Sequence, residues 1–170
     1  MQQSVWMTGL AGLFSITCLT ASAQGPQKSA ELQRLEPLIG HWITIGETAG
    51  DSASKALPIR ASDIYEWATG GTFIIHHIYG LIGDNESGGV QILGYDAKEK
   101  VYKSYYFDGK GNFSIGKLTI DNGVFLWEGE RIRCFGEFKR DGKSLLAHHQ
   151  KQNANGKWVP AMEVTLSKVE

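Results

Sequence analysis

Two histidine doublets, His76-His77 and His148-His149, are the residues whose type and spacing point most directly to chemistry. Each doublet sits in a run that reads as a β-strand, where neighbours along the chain face opposite ways, so one histidine of each pair looks inward. Inward imidazoles from two strands can share a metal ion or bind a haem iron, and His41 supplies a third near the end of a strand. Against this, no Cys or carboxylate stands at ligand spacing beside them, and neither H-x-H nor H-E-x-x-H occurs. The expectation is no metal and no cofactor, with haem or a metal through His77 or His149 as the alternative.

Nucleophilic and acid–base chemistry find little support. Cys134 has no flanking sequence of a nucleophile and reads as a small buried filler. Asp63 and Glu66 are three residues apart on one strand and so point to opposite faces, which rules out a carboxylate pair there. The chain holds no G-x-S-x-G, no phosphate loop and no dinucleotide fingerprint. No catalytic signature is found, and the sequence leaves open whether the protein is an enzyme.

Aromatic residues are the stronger signal. Tyr65, Trp67, Tyr79, Tyr105, Tyr106, Phe107, Phe125 and Trp127 all fall in candidate strands. Rings around a concave site offer contact area to planar or greasy molecules, with Tyr and Trp edges donating hydrogen bonds; the plain alternative is that they fill a small barrel. Arg131 and Arg133 share a strand face, and an inward Arg holds a ligand carboxylate through two parallel hydrogen bonds, whereas outward arginines simply meet water. The candidate lumen set is Tyr65, Trp67, His77, Tyr79, Tyr105, Trp127 and Arg133.

The elements that must position these residues are nearly all strands. Ser29 caps a short helix carrying Leu32, Leu35 and Ile39, limited by Pro37 and Gly40. Ten candidate strands follow: His41–Glu47, Ile59–Ala68, Thr72–Tyr79, Gly89–Tyr95, Val101–Asp108, Asn112–Ile120, Val124–Glu128, Arg131–Lys139, Lys143–Lys151 and Trp158–Lys168. Asp121-Asn122-Gly123 and Asp141-Gly142 are hairpin turns whose residues tolerate positive φ. Tight connections between short strands, with no gap for a crossover helix after residue 58, indicate an all-β, antiparallel up-and-down β-barrel of about eight to ten strands. The linker Thr48–Pro58 is the candidate loop over one mouth. In Ile59–Ala68 one face carries Ile59, Ala61, Asp63, Tyr65 and Trp67; in Thr72–Tyr79 one carries Phe73, Ile75, His77 and Tyr79, the other Ile74, His76 and Ile78. Both faces are bulky, which fits an aromatic lumen and also an outer face packed on a partner.

Residues 5–19 carry no charge and lead to Ala21-Ser22-Ala23, the pattern of a secretory signal peptide cleaved after Ala23. The run is short for a membrane span. Residues 1–23 are thus expected to be a signal peptide and 24–170 one secreted or periplasmic domain, without stable membrane insertion after cleavage. Lys and Arg number 17 against 18 Asp and Glu in 170 residues, a balance that excludes a nucleic-acid partner dependent on a basic surface. The hydrophobic fraction of 42% excludes disorder.

The stretch Leu35-Glu36-Pro37-Leu38-Ile39-Gly40-His41-Trp42, a short helix leading into Gly-x-Trp, resembles the opening of lipocalins and related calycin barrels. That resemblance implies Trp42 packed across the closed end beside the helix. Further segments, Glu66–Phe73, Leu93–Asp96, Tyr105–Gly111, Gly156–Trp158 and Met162–Leu166, resemble a bacterial family of exported, calycin-type barrels, domain of unknown function 1579 (DUF1579). It covers roughly residues 31–168 and implies a lipocalin-like fold with a short N-terminal helix, without established catalytic residues to carry over. The chain departs from many lipocalins in lacking paired cysteines and a helix after the barrel. The expected function is binding of a small hydrophobic or aromatic molecule in the lumen. The alternatives are a barrel enzyme for cyclisation or isomerisation of a hydrophobic substrate, and an envelope or stress protein acting through a protein partner.

Overall fold

In a computed structural model that describes residues 28–51 and 54–169, the alternating pattern resolves into ten strands. They are β1 Gly40–Thr48, β2 Pro58–Trp67, β3 Phe73–Ile82, β4 Asn85–Asp96, β5 Val101–Asp108, β6 Phe113–Asp121, β7 Val124–Glu128, β8 Ile132–Phe138, β9 Ser144–Gln152 and β10 Trp158–Val169. Each pairs antiparallel with the one before it, and β10 closes onto β1 through His41↔Val169 to Thr48↔Met162. The fold is a closed, up-and-down antiparallel barrel whose strand order is the chain order.

The expected strands are all present. The largest difference is the β3–β4 hairpin, which runs on to Ile82↔Asn85 rather than stopping at Tyr79 and Gly89. Glycines in that stretch break the sequence pattern, but they permit tight strand contact: a Cβ on Gly89 would fall 2.1 Å from the Phe107 carbonyl oxygen. At the β6–β7 turn Asn122 and Gly123 both have positive φ, 47° and 81°, the backbone of a two-residue hairpin matched to sheet twist.

One end is plugged. Helix α1, Ala30–Gln33, starts at Ser29, whose Oγ accepts from the Leu32 amide at 3.3 Å, and a 3₁₀ turn follows over Glu36–Leu38. Leu35 and Leu38 bury themselves among Ile74, Leu93, Tyr102 and Leu118. The Tyr102 hydroxyl donates to the Glu31 carbonyl at 2.7 Å, tying the helix to β5. Trp42 lies across this end, 1% exposed, and its indole N–H donates to the Leu38 carbonyl at 2.8 Å. The other end is open. The β1–β2 linker stands on its rim, held by Thr48 N–H to the Leu57 carbonyl and Leu57 N–H to Thr48 Oγ1, both 2.9 Å. Among the described residues no helix is long and apolar enough to cross a membrane. The segment read as a signal peptide lies outside the described residues.

Candidate functional site

Between plug and open end the barrel encloses a cavity of about 410 Å³. Ten strands make a wider cylinder than the eight that side chains just fill, because diameter grows with strand number. Its walls are mostly apolar, with Ile59, Ile78, Leu118, Phe125, Ile132 and Val164 among them. Trp127 comes from β7; its indole N–H donates to the buried Ser104 hydroxyl at 2.5 Å, and its ring lies where a Cβ on Gly116 would come within 2.6 Å. The missing side chain at Gly116 is what lets the indole lie flat against β6.

One wall is polar. Thr44 on β1, Asp63 on β2, His76 on β3 and Gln91 on β4 are joined in a chain across four neighbouring strands. The Thr44 hydroxyl donates to Asp63 Oδ2, His76 Nε2 donates to Asp63 Oδ1 at 2.8 Å, and His76 Nδ1 lies 3.2 Å from Gln91 Oε1. The side chains of Asp63 and His76 are 8% and 7% exposed. Removing one member of such a buried pair is far more disruptive than the net worth of the pair, because it strands the other. The Tyr65 ring stacks on His76 with centroids 3.7 Å apart and planes at 13°. Burial, and then the Asp63 carboxylate, push the Tyr65 phenol well above its ordinary range, so it stays protonated.

Across the lumen, Cys134 Sγ lies 3.4 Å from His149 Nε2. Burial pushes the thiol up to about 12, while burial and the neighbouring His148 hold His149 down at about 4. At neutral pH this is a thiol against a neutral imidazole, which lacks the thiolate a nucleophile needs. His149 Nδ1 is buried without a hydrogen-bond partner.

The residues expected in the lumen divide sharply. Tyr65 and Trp127 stand on the cavity wall. Trp67 packs against the helix-plug cluster with Lys28 Nζ 4.0 Å above its ring, so it helps close the barrel and is not part of the cavity wall. The others require correction. His77 points outward, 3.6 Å from Glu66 and parallel to Tyr79, and Tyr79 is itself exposed. Tyr105 also faces out, whereas its neighbour Tyr106 lines the lumen and donates to the Gly88 carbonyl at 3.2 Å. Arg133 is on the outer surface, bonded to Gln150 Oε1 at 2.8 Å with its guanidinium 4.5 Å from the Trp158 ring. Of the two histidines named for a haem or metal, His77 faces outward and His149 stands on the cavity wall.

The cause of these misplacements is parity. A strand offers two interleaved sets of residues, and periodicity alone does not say which faces in. The deciding signal was the register across the β2–β3 turn: Tyr65 pairs with His76 and Trp67 with Ile74, and directly paired residues share a face. With Tyr65 inside, His76 must be inside and His77 outside. Asp63, Thr44 and Gln91 were missed as a site because they come together only when four strands align.

A family model described as protein of unknown function, DUF1579, matches residues 27–168. Among solved structures the fold is similar to Rv2717c from M. tuberculosis, 11% identical at a TM-score of 0.61, covering 85% of this chain and 100% of that one. It is also similar to the S-type phycobiliprotein lyase CPES from Guillardia theta, 13% identical at a TM-score of 0.60, covering 85% and 94%. At such identities the likeness is one of fold. No curated protein matches the sequence.

Proposed function

The chain belongs to the DUF1579 family of proteins of unknown function, and we propose that it is an exported barrel that binds a small apolar or aromatic molecule in its lumen. The observation that carries the reading is the cavity of about 410 Å³, walled by aliphatic and aromatic side chains and provided with one polar strip. A mostly apolar concavity of 300–1,000 Å³ with a few convergent polar groups is the usual form of a small-molecule site. A lumen of this volume supports binding over the alternative in which side chains fill the barrel and an outer surface acts through a protein partner. Export rests on the uncharged run 5–19 and the Ala21-Ser22-Ala23 motif; an intact mass beginning at Gln24 supports it, and a mass retaining residues 1–23 in the native host overturns it. Binding is tested by titrating purified protein with naphthalene and following emission, since Trp127 lies on the cavity wall. Saturable quenching supports the reading, and an unchanged spectrum across a panel of apolar compounds refutes it.

A second reading, catalysis of a cyclisation or isomerisation in the same lumen, is supported by His76 held on Asp63 beneath the Tyr65 phenol. The Asp63 carboxylate and the protonated Tyr65 phenol place a proton acceptor and a proton donor on one wall, with His76 held between them. Recovery of the bound compound unchanged favours the carrier; time-dependent conversion favours the enzyme.

A further inference from the structure

We infer that the lumen discriminates by head group, taking amphiphiles whose polar end donates a hydrogen bond (a primary amine, an alcohol or a phenol) and rejecting carboxylates and other anions. The inference rests on the lumen-binding reading and adds to it a class of ligand.

The reasoning starts from charge. Among the described residues lining the cavity, Asp63 is the only acid, and there is no Lys or Arg. The two inward histidines do not replace a missing cation. His149 is kept neutral by burial, and His76 already faces the Asp63 carboxylate, which neutralises any proton it holds. An anion entering this space gives up its water, meets no free cation and approaches the acceptor oxygens of Asp63, three effects of the same sign.

Hydrogen-bonding capacity points the same way. The donors on the wall are largely committed: Trp127 N–H to Ser104, the Tyr106 hydroxyl to the Gly88 carbonyl, the Thr44 hydroxyl to Asp63. The donors left for an anion, the Tyr65 phenol beside Asp63 and the Gln91 amide and Ser87 hydroxyl among them, are all neutral and bring no cation to it. Acceptor capacity is in surplus. A carboxylate offers about four lone-pair sites, and Asp63 spends one on Thr44 and one on His76. A ligand O–H or N–H takes up the acceptor sites that Asp63 still offers. For size, a cavity of about 150 Å³ holds benzene, so about 410 Å³ suits two fused rings or an equivalent chain plus the head.

The test holds the body constant and changes the head: naphthalene, 2-naphthol, 2-naphthylmethylamine and 2-naphthoate, each brought to equilibrium with the purified protein by dialysis at neutral pH. The amine and the naphthol are expected to bind at least about tenfold tighter than the naphthoate, the range of one charge-assisted hydrogen bond. In Asp63→Asn the gap should close to about threefold or less, with naphthalene binding retained as the sign of an intact lumen. Naphthoate bound as well as naphthol by the unaltered protein, or a gap that survives in a folded D63N, overturns the inference while leaving lumen binding in place. If naphthalene and all its derivatives remain free, the lumen reading itself fails and this one with it. The comparison on the unaltered protein decides the matter even if D63N does not fold.

Independently, the geometry of the outer wall points to a second copy of this chain. Phe73 and Tyr79 on β3, Tyr105 and Phe107 on β5, and Phe113 and Ile115 on β6 face outward and are between 37% and 67% exposed. The register sets them on one face: Tyr105 pairs with Ile115 and Phe107 with Phe113, and on β4 Ile92 and Val90 pair with Tyr105 and Phe107 on one side and, on the other, with Ile75 and His77, which lie between Phe73 and Tyr79 on β3. Taking ~200 Å² for a fully exposed large side chain, the six present about 600 Å². Two copies then cover about 1,200 Å², within the range of specific interfaces. None of the six is charged; the cations on this face, Lys103 and Lys117, pair with each other at its border, where Lys103 is already held by Asp96 and Glu99, so the apolar centre meets itself about a two-fold axis. Light scattering on the size-separated protein should report a dimer, and a folded Phe107→Lys, Phe113→Lys double variant a monomer. A monomeric unaltered protein, or a dimer that survives both lysines, overturns this second inference.

Discussion

Filling the lumen from inside separates binding from folding. Ala61 lies on the cavity wall opposite Gly80 of β3, which has no side chain, so Ala61→Phe places a phenyl ring over the bare stretch of wall. Since a cavity of about 150 Å³ accommodates benzene, that ring occupies on the order of a third of the roughly 410 Å³ available. A ligand that must vacate a ring-sized subsite loses the burial of that ring, about 1.5–3 kcal/mol, which is roughly 10- to 150-fold in affinity. Stability should move the other way or not at all, because new apolar surface enters a void and no packed neighbour is displaced. Filling such a void contributes ~24 cal/mol per Å³ at most, and less where the space communicates with solvent. The assay is paired: equilibrium dialysis with 2-naphthol, and thermal unfolding followed by far-UV circular dichroism. Weaker binding at an unchanged or higher Tm supports the lumen as the site. An A61F protein that is folded and binds 2-naphthol with unaltered affinity refutes it, since the guest must then sit elsewhere.

Other consequences follow from individual contacts. Trp42→Phe keeps an aromatic ring but leaves the buried Leu38 carbonyl without its indole donor, and should destabilise the barrel by about 1–3 kcal/mol in urea unfolding. Tyr102→Phe removes the bond from β5 to the Glu31 carbonyl and should cost about 1 kcal/mol, with faster amide exchange confined to the helix plug. The folded protein holds His149 neutral down to about 4, whereas the unfolded chain takes up that proton near 6.5. The unfolded state therefore binds more protons between those values, and stability falls as pH drops through the window, by about 3 kcal/mol at most. His149→Gln should flatten that part of the pH–stability curve, and an identical curve for both proteins contradicts the assignment. Burial that lifts the Cys134 thiol to about 12 predicts no alkylation by iodoacetamide at pH 8 until the protein is unfolded, read by mass mapping of the peptide containing Cys134.

Much of the architecture is legible in the amino-acid sequence. The ten runs and their Gly- and Asn-containing turns dictate hairpins, because Asn122-Gly123 adopts positive φ cheaply and no connection is long enough to cross over. Ser29, Leu35, Leu38 and Trp42 mark a capped helical segment and its apolar seat, and these became the plug. Even the correct inward set of β2, from Ile59 to Trp67, could be written down as a set. These features depend on residues near one another in the chain, whose conformational preferences act locally.

Which set faced the lumen was another matter. For β3 the choice between His76 and His77 was a choice of sign, and it depends on a partner strand: Tyr65 inside forces His76 inside. The strip Thr44–Asp63–His76–Gln91 needs β1 to β4 aligned at one height, and no spacing within a single strand announces it. The same holds for the open volume, since whether Trp127 and Phe125 fill a barrel or wall a cavity is settled by how many strands close the cylinder and where glycines let rings lie flat. The amino-acid order alone determined the strands, their turns and the capped end, because steric and hydrogen-bonding preferences of neighbouring residues suffice for those. Closure of the sheet decided what lies inside, because a side chain's surroundings are set by strands far away in sequence that it meets only once the barrel is complete.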